Sequence, residues 1–252
     1  MTKSQFSFTS AVALLLLAAP VFAAAAECQL APAGRAAVTH VSDGRTLTLV
    51  DGRELRLAAI EAPVNSRAAL QALAGAGPLR IETLGKARDR YGRLVGFAFS
   101  GAERTSLQQA LVAQGQALVS SRAGGPACAA PLLAAEREAR AARRGLWADP
   151  NFAPLRAENV TGIQSRAGRF ALVEGKVLSV RESGATIYVN FGRRWTRGFT
   201  AIILRRLSRS FAAAGVDVKT LTGRRVRVRG FIETRGGPAI VALHPEQIEL
   251  IE

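Results

Sequence analysis

Between Tyr188 and Phe199 the sequence interleaves the aromatic residues Tyr188, Phe191, Trp195 and Phe199 with Arg193, Arg194 and Arg197. Aromatic rings stack on nucleobases and guanidinium groups follow phosphates, so this mixture suits a platform for single-stranded nucleic acid. The competing reading has Trp195 and Phe199 closing a small hydrophobic core while the arginines are merely solvated. Further along, Arg225-Val226-Arg227-Val228-Arg229 alternates with the two-residue period of a strand, which sends the valines inward and lines the three arginines along one outer face. Cys28, Cys128, His40 and His244 are the only cysteines and histidines, and none has zinc-ligand spacing, so structural zinc is excluded. His40 and His244 have no partner motif and read as structural or exposed. Asn159-Val160-Thr161 matches a glycosylation sequon, discounted because the chain reads as bacterial. No phosphate-cradling glycine loop and no recognisable Ser/His/Asp arrangement is present.

The elements that must position these residues belong to a chain of 252 residues, enough for one large or two small domains, with a hydrophobic share of 48% that excludes disorder. A net charge of +15 favours a polyanionic partner: nucleic acid, anionic lipid head groups or another phosphate-rich polymer. Only Lys3, Lys86, Lys176 and Lys219 are lysines, so part of the arginine excess is compositional bias. Residues 1–26 read as a secretory signal peptide: Lys3 is its positive end, Ala11 to Phe22 its apolar run, and Ala23 to Ala26 its small-residue cleavage region. The run is shorter than the about 20 apolar residues of a bilayer span, and no later stretch approaches it, so no transmembrane segment is expected. A periplasmic or secreted protein follows, and Glu27 before Cys28 argues against a lipid anchor. Export permits a disulfide, for which Cys28 and Cys128 are the one possible pair; two separate buried thiols are the alternative.

Trp147 to Val160 holds Pro150 and Pro154 without apolar periodicity and reads as a linker, at 151–160, between a domain at 27–150 and a more basic one at 161–252. In the first, Val38 to Ser42, Thr46 to Val50 and Arg53 to Ile60 are short strand-like runs separated by Asp43-Gly44 and Asp51-Gly52 turns. A helix N-capped by Ser66, strands at Leu79 to Leu84 and Leu94 to Phe99, a helix opened by a Thr105/Gln108 capping box, and a last helix starting near Pro131 complete it. In the second, Phe170 to Val180, Ala185 to Phe191 and Phe199 to Leu204 are expected strands, Arg205 to Ala214 a helix, and Arg224 to Glu233 and Pro238 to Leu243 further strands. That order is the order of an OB barrel.

The segments Val41-Ser42-Asp43-Gly44-Arg45-Thr46, Arg56-Leu57-Ala58-Ala59-Ile60-Glu61-Ala62-Pro63, Asp89-Arg90-Tyr91-Gly92-Arg93 and Glu138-Ala139-Arg140 through Gly145-Leu146-Trp147 carry a resemblance. Together they make residues 38–147 similar to the thermonuclease (staphylococcal nuclease-like) family. The resemblance implies a mainly β fold with helices, an OB barrel of five strands and three helices, here followed by a second, smaller OB-like barrel. It further implies calcium-dependent phosphodiester hydrolysis, with calcium held by two aspartates, water activated by a glutamate, and phosphate clamped by two arginines. The clamp positions are Arg56 and Arg93, and bidentate guanidinium contacts suit them to phosphate. One metal aspartate is replaced by Arg45 and the other by Glu61, and the position of the water-activating glutamate holds Val64, which takes no proton. The expectation is a disrupted calcium site, no other cofactor, and a protein that binds nucleic acid or another phosphate-bearing polyanion with hydrolysis impaired. Arg45, Arg56 and Arg93 would then form a metal-free anion pocket, with Glu61 orienting one of them. The alternatives are a nuclease using a shifted carboxylate, Glu54 or Asp43, and a periplasmic interaction protein for envelope polyanions or a protein partner.

Overall fold

The computed structural model describes residues 27–194 and 197–251; the expected signal segment and Trp195 lie outside them. The chain is mainly β with a few helices. Its first part runs β1 (Ala31–Ala36), β2 (Val38–Val41), β3 (Thr46–Leu49), β4 (Glu54–Leu57), β5 (Ile60–Glu61), α1 (Arg67–Ala74), β6 (Leu79–Arg88), β7 (Leu94–Ser100), α2 (Leu107–Ala113), β8 (Leu118–Val119) and α3 (Pro126–Ala141). Six strands form one sheet in the order β1-β6-β7-β4-β3-β2, while β5 and β8 pair separately.

Alternation drives these strands: Leu47, Leu49, Leu55 and Leu57 are all buried on the core side, each contributing on the order of 1.5–3 kcal/mol by leaving water. The β6–β7 turn rests on Asp89, whose Oδ1 accepts the backbone N–H groups of Tyr91 and Arg93. Gly92 then takes a φ of 80°, which a side chain would resist. Two expected helix starts move. Helix α2 is capped by Ser106, whose side chain accepts from Gln109 N; Gln108 instead turns inward and bridges Ala98 N and Gly96 O. Helix α3 opens at Pro126, not near Pro131, because Pro126 already occupies the first turn, where a missing N–H costs nothing. Cys128, in that first turn, is bonded to Cys28 across a sequence separation of 100, with Cα atoms 4.6 Å apart.

The second part comprises β9 (Leu155–Arg156), α4 (Val160–Gln164), β10 (Phe170–Lys176), β11 (Ser179–Ser183), β12 (Thr186–Asn190), β13 (Thr200–Leu204), α5 (Ser208–Ala213), β14 (Arg225–Phe231), β15 (Glu233–Arg235), β16 (Gly237–Val241) and β17 (Ile248–Ile251). They make a four-stranded sheet, β17-β14-β10-β9, and a five-stranded one, β11-β12-β13-β16-β15. The run expected as one strand from Phe170 to Val180 is thus two, in different sheets. Within the expected linker, Leu155 and Arg156 pair in parallel with Val173 and Glu174, which makes them part of a sheet. Asn159 caps α4 by accepting from Gly162 N.

Each part has its own core, one drawn from residues between Ala36 and Ala135 and one from residues between Ala157 and Ile248. A third cluster, Leu118, Ala139, Leu146, Trp147 and Leu172, joins them. At this junction Arg229 of β14 is fully buried. Its NH1 donates to Val119 O at 3.0 Å and to Glu136 Oε1 at 3.1 Å, and its NH2 to Glu136 Oε2 at 2.7 Å and to Glu249. A buried guanidinium persists only when paired in this way. Burial alone would lower its pKa, but Glu136 and Glu249 outweigh that and raise it.

Candidate functional site

The turn between β2 and β3 is built by Asp43, whose Oδ1 accepts Arg45 N at 2.8 Å while Oδ2 accepts the Thr46 hydroxyl at 3.1 Å. Gly44 lies so close to the following loop that a Cβ there would sit 2.4 Å from Pro63 O. No other residue type fits without displacing backbone, and this close approach brings the turn against β5 and the loop after it. Arg45 is thereby delivered to Glu61: NH1 lies 2.5 Å from Glu61 Oε2 and donates to Ile60 O at 2.8 Å. Glu61 Oε1 accepts the Ser120 hydroxyl at 3.2 Å, and β8 holds Ser120 there by pairing with β5.

Arg56 stands half-buried on β4, opposite Thr46 of β3 and beside Val95 of β7. Among the described residues it makes no ion pair. Burial, and then the guanidinium groups of Arg45 and Arg93, push its pKa below the usual arginine value. Arg93 is anchored by Asp89 Oδ2, which accepts Nε and NH2 at 2.7 Å each, and lies 5.0 Å from the Tyr91 ring centroid. Arg45, Arg56 and Arg93 therefore converge, two of them tied to carboxylates and the third between them. Val64 opens a 3-10 turn and is exposed, at 73%. Glu54 is exposed at the start of β4. Among the described residues no cluster of three or more His, Cys, Asp or Glu side chains could hold a metal ion.

The nucleic-acid candidates of the second part separate. Tyr188 is half-buried on β12, and Arg193, Arg194 and Arg197 are exposed in the β12–β13 connection, whereas Trp195 lies outside the described residues. Phe191 and Phe199 are core residues with ring centroids 5.1 Å apart. For β14 the expectation needs correction. Val226 and Val228 are fully buried and Arg225 is exposed, but Arg227 is paired to Glu174 at 2.9 Å and Glu249 at 3.6 Å, and Arg229 is the buried interface cation. The arginine row of β14 is thus divided: Arg225 faces solvent, Arg227 is held by carboxylates of the neighbouring strands β10 and β17, and Arg229 alone bonds to α3 and β8. Sequence reading missed Glu136 as the counterpart of Arg229. The signal was there: Glu136 falls on the apolar stripe of α3 between Leu132 and Ala139, where an unpaired carboxylate could not stay. His40 is exposed on β2, and His244 precedes the turn Pro245–Gln247.

Comparison with known proteins gives one family match and two informative relatives. The family described as staphylococcal nuclease homologue matches residues 54–149. Protein ParB of Escherichia coli is 35% identical over 56% of this chain and 83% of its own length. A micrococcal nuclease of Shigella flexneri is 32% identical over 46% of this chain and 75% of its own length.

Proposed function

The chain belongs to the staphylococcal nuclease homologue family, and on that premise we propose that it is an exported nucleic-acid-binding protein whose nuclease-like scaffold holds phosphate with arginines and hydrolyses it poorly. The observation that carries this reading is the Arg45–Glu61 pair at 2.5 Å. In the related enzymes, by resemblance, those two positions hold calcium. Here Arg45 also takes the Ile60 carbonyl, and Asp43 is used by the Arg45 amide and the Thr46 hydroxyl. Calcium needs about 6–8 oxygen ligands, and a donor set neutralised by a permanent cation does not fit it. At the water-activating position Val64 offers no proton acceptor.

What remains is an anion pocket. Arg56 is half-buried among like charges, so a phosphate is the partner that relieves it, and guanidinium geometry allows two parallel hydrogen bonds to one phosphate. Arg93 and Arg45 are already oriented by Asp89 and Glu61, which reduces the entropy lost on binding. Nucleic acid is the favoured phosphate source because of the family and because the relative from Shigella flexneri is named a nuclease. Export is supported by the residues 1–26 pattern and the Cys28–Cys128 bond. Among the described residues no helix is long and apolar enough to cross a membrane. The division at 151–160 between a thermonuclease-like domain and a basic OB-like domain belongs to the same proposal, with the two held by Arg229 and Glu136.

The test is a gel assay on single-stranded DNA and RNA with calcium and with chelator. The expected outcome is retention of both substrates without calcium-stimulated cleavage. Robust cleavage abolished by chelator overturns the reading; chelator-resistant cleavage lost on Asp43→Asn or Glu54→Gln points to a shifted carboxylate instead.

A further inference from the structure

The five-stranded sheet of the second part has two faces of different chemistry. Strand pairing sets Arg181, Tyr188, Ile202 and Val241 in one row across β11, β12, β13 and β16. The next row on that face is Ser179, Asn190, Thr200 and Ala239. The intervening row, Val180, Val189, Ala201 and Ile240, packs on the core. Because side chains alternate across a strand, the first two rows share the face turned away from the core. That face is hollow: a cavity of about 910 Å³ lies over it, near the upper end of ligand-pocket volumes of about 300–1,000 Å³.

The floor is hydrogen-bonding without being charged, since the Thr200 hydroxyl donates to Asn190 Oδ1 at 3.2 Å and Asn190 Nδ2 donates to Ser179 Oγ at 3.3 Å. Tyr188 is its aromatic residue, and Arg181, Arg193 and Arg235 stand at the rim. The acidic neighbours are occupied: Glu182 pairs with Lys219 at 2.9 Å, and Glu233 takes only Nε of Arg235. A second hollow of about 570 Å³, lined by Arg205, Arg206 and Arg209, shares Leu204 with the first and extends the basic track.

We propose that this groove binds single-stranded nucleic acid, with Tyr188 stacking on a base and Arg181, Arg193 and Arg235 following the phosphates. A track that continues past the cavity suits a polymer rather than a free nucleotide. An aromatic floor with cationic edges suits unstacked bases, whereas duplex binding would need only the cations. The site is separate from the arginine pocket beside Glu61 and does not depend on it.

The test measures anisotropy of a fluorescein-labelled oligodeoxythymidine of roughly 12 nucleotides, within the span of about 4–16 that such grooves engage. The full chain is used with chelator present. Tyr188→Ala should weaken binding about tenfold with little change in salt dependence. Arg181→Ala with Arg235→Ala should flatten the slope of log affinity against log salt by about 0.7 per lost phosphate contact. Tyr188→Phe, which keeps the ring, should bind as the parent does, and the Tyr188→Ala loss should persist in an Arg56→Ala background. Unchanged affinity and slope in both the tyrosine and arginine variants overturn the groove. So does equal loss of heparin binding on Tyr188→Ala, because a polymer without bases would then use the same contact. If Tyr188→Ala lowers the thermal midpoint, the arginine pair and Tyr188→Phe decide the matter. If Arg56→Ala alone abolishes binding, the groove fails while the first pocket stands.

Discussion

In the proposed pocket Arg45 matters most, because by resemblance its guanidinium stands at a calcium-ligand position of the family. Its removal has two consequences: a cation is lost, and the Glu61 carboxylate faces the phosphate unneutralised. Arg45→Ala should therefore weaken binding of a dinucleotide phosphodiester more than charge loss alone predicts, and Arg45→Ala with Glu61→Gln should recover part of it. Arg56→Ala should cost at least tenfold, since a charge-assisted hydrogen bond is worth about 1.5–3 kcal/mol. Arg56→Lys should restore charge but not the two-point contact, leaving affinity between the two. Titration calorimetry at fixed ionic strength reads all four variants, and an Arg56→Ala protein that binds normally would remove Arg56 from the pocket.

Elements carry these residues into place, and α3 is the one with most attached to it. Its first turn is bonded to Cys28, its middle presents Glu136 to β8 through Val119 N at 2.7 Å, and β8 holds Ser120 against Glu61. The Cys28–Cys128 bond closes a span of 100 residues, worth roughly 4–5 kcal/mol in the chain-entropy model. Cys28→Ser with Cys128→Ser should accordingly lower the midpoint of urea unfolding while leaving the Arg56 pocket able to bind at low temperature. Equal midpoints for the parent and the double variant would show that the bond does not constrain the unfolded chain.

At the scale of the whole molecule, the two cores are joined by the buried pair Arg229 and Glu136, flanked by the partly exposed Glu249, Arg227 and Arg140. Arg229→Met leaves Glu136 buried without its main partner and should destabilise by about 3–5 kcal/mol, whereas Arg229→Met with Glu136→Leu should recover much of the loss. The same network sets an acid limit. Burial alone would raise the Glu249 pKa, but Arg229, with Arg227 and Arg140 behind it, lowers it below the ordinary 4.5. A folded value below the unfolded one means that its stabilisation is complete above about pH 4.5 and is lost as pH falls through the folded value. Unfolding followed from pH 7 to pH 3 should show this loss in the parent and a smaller one in Glu249→Gln.

The local plan was legible in the sequence because local physics sets it. Asp-Gly turns and two-residue alternation marked many of the strands, though not β1, β8 or β9, and the motifs around Asp43, Glu61 and Asp89 carried the family resemblance and pointed to Arg45, Arg56 and Arg93. The only two cysteines named their own partner once export was inferred. Alternation also placed Arg225, Arg227 and Arg229 on one side of a strand, but a period of two says nothing about what covers that side. Only the tertiary structure decided that Arg229 meets Glu136, 93 residues away, and that Arg181, Tyr188 and Arg235 surround one hollow. It likewise chose Glu61 rather than solvent for Arg45. In each case the partner is set by how sheets and helices pack, and a charge taken out of water is stable only where that packing supplies its counterpart.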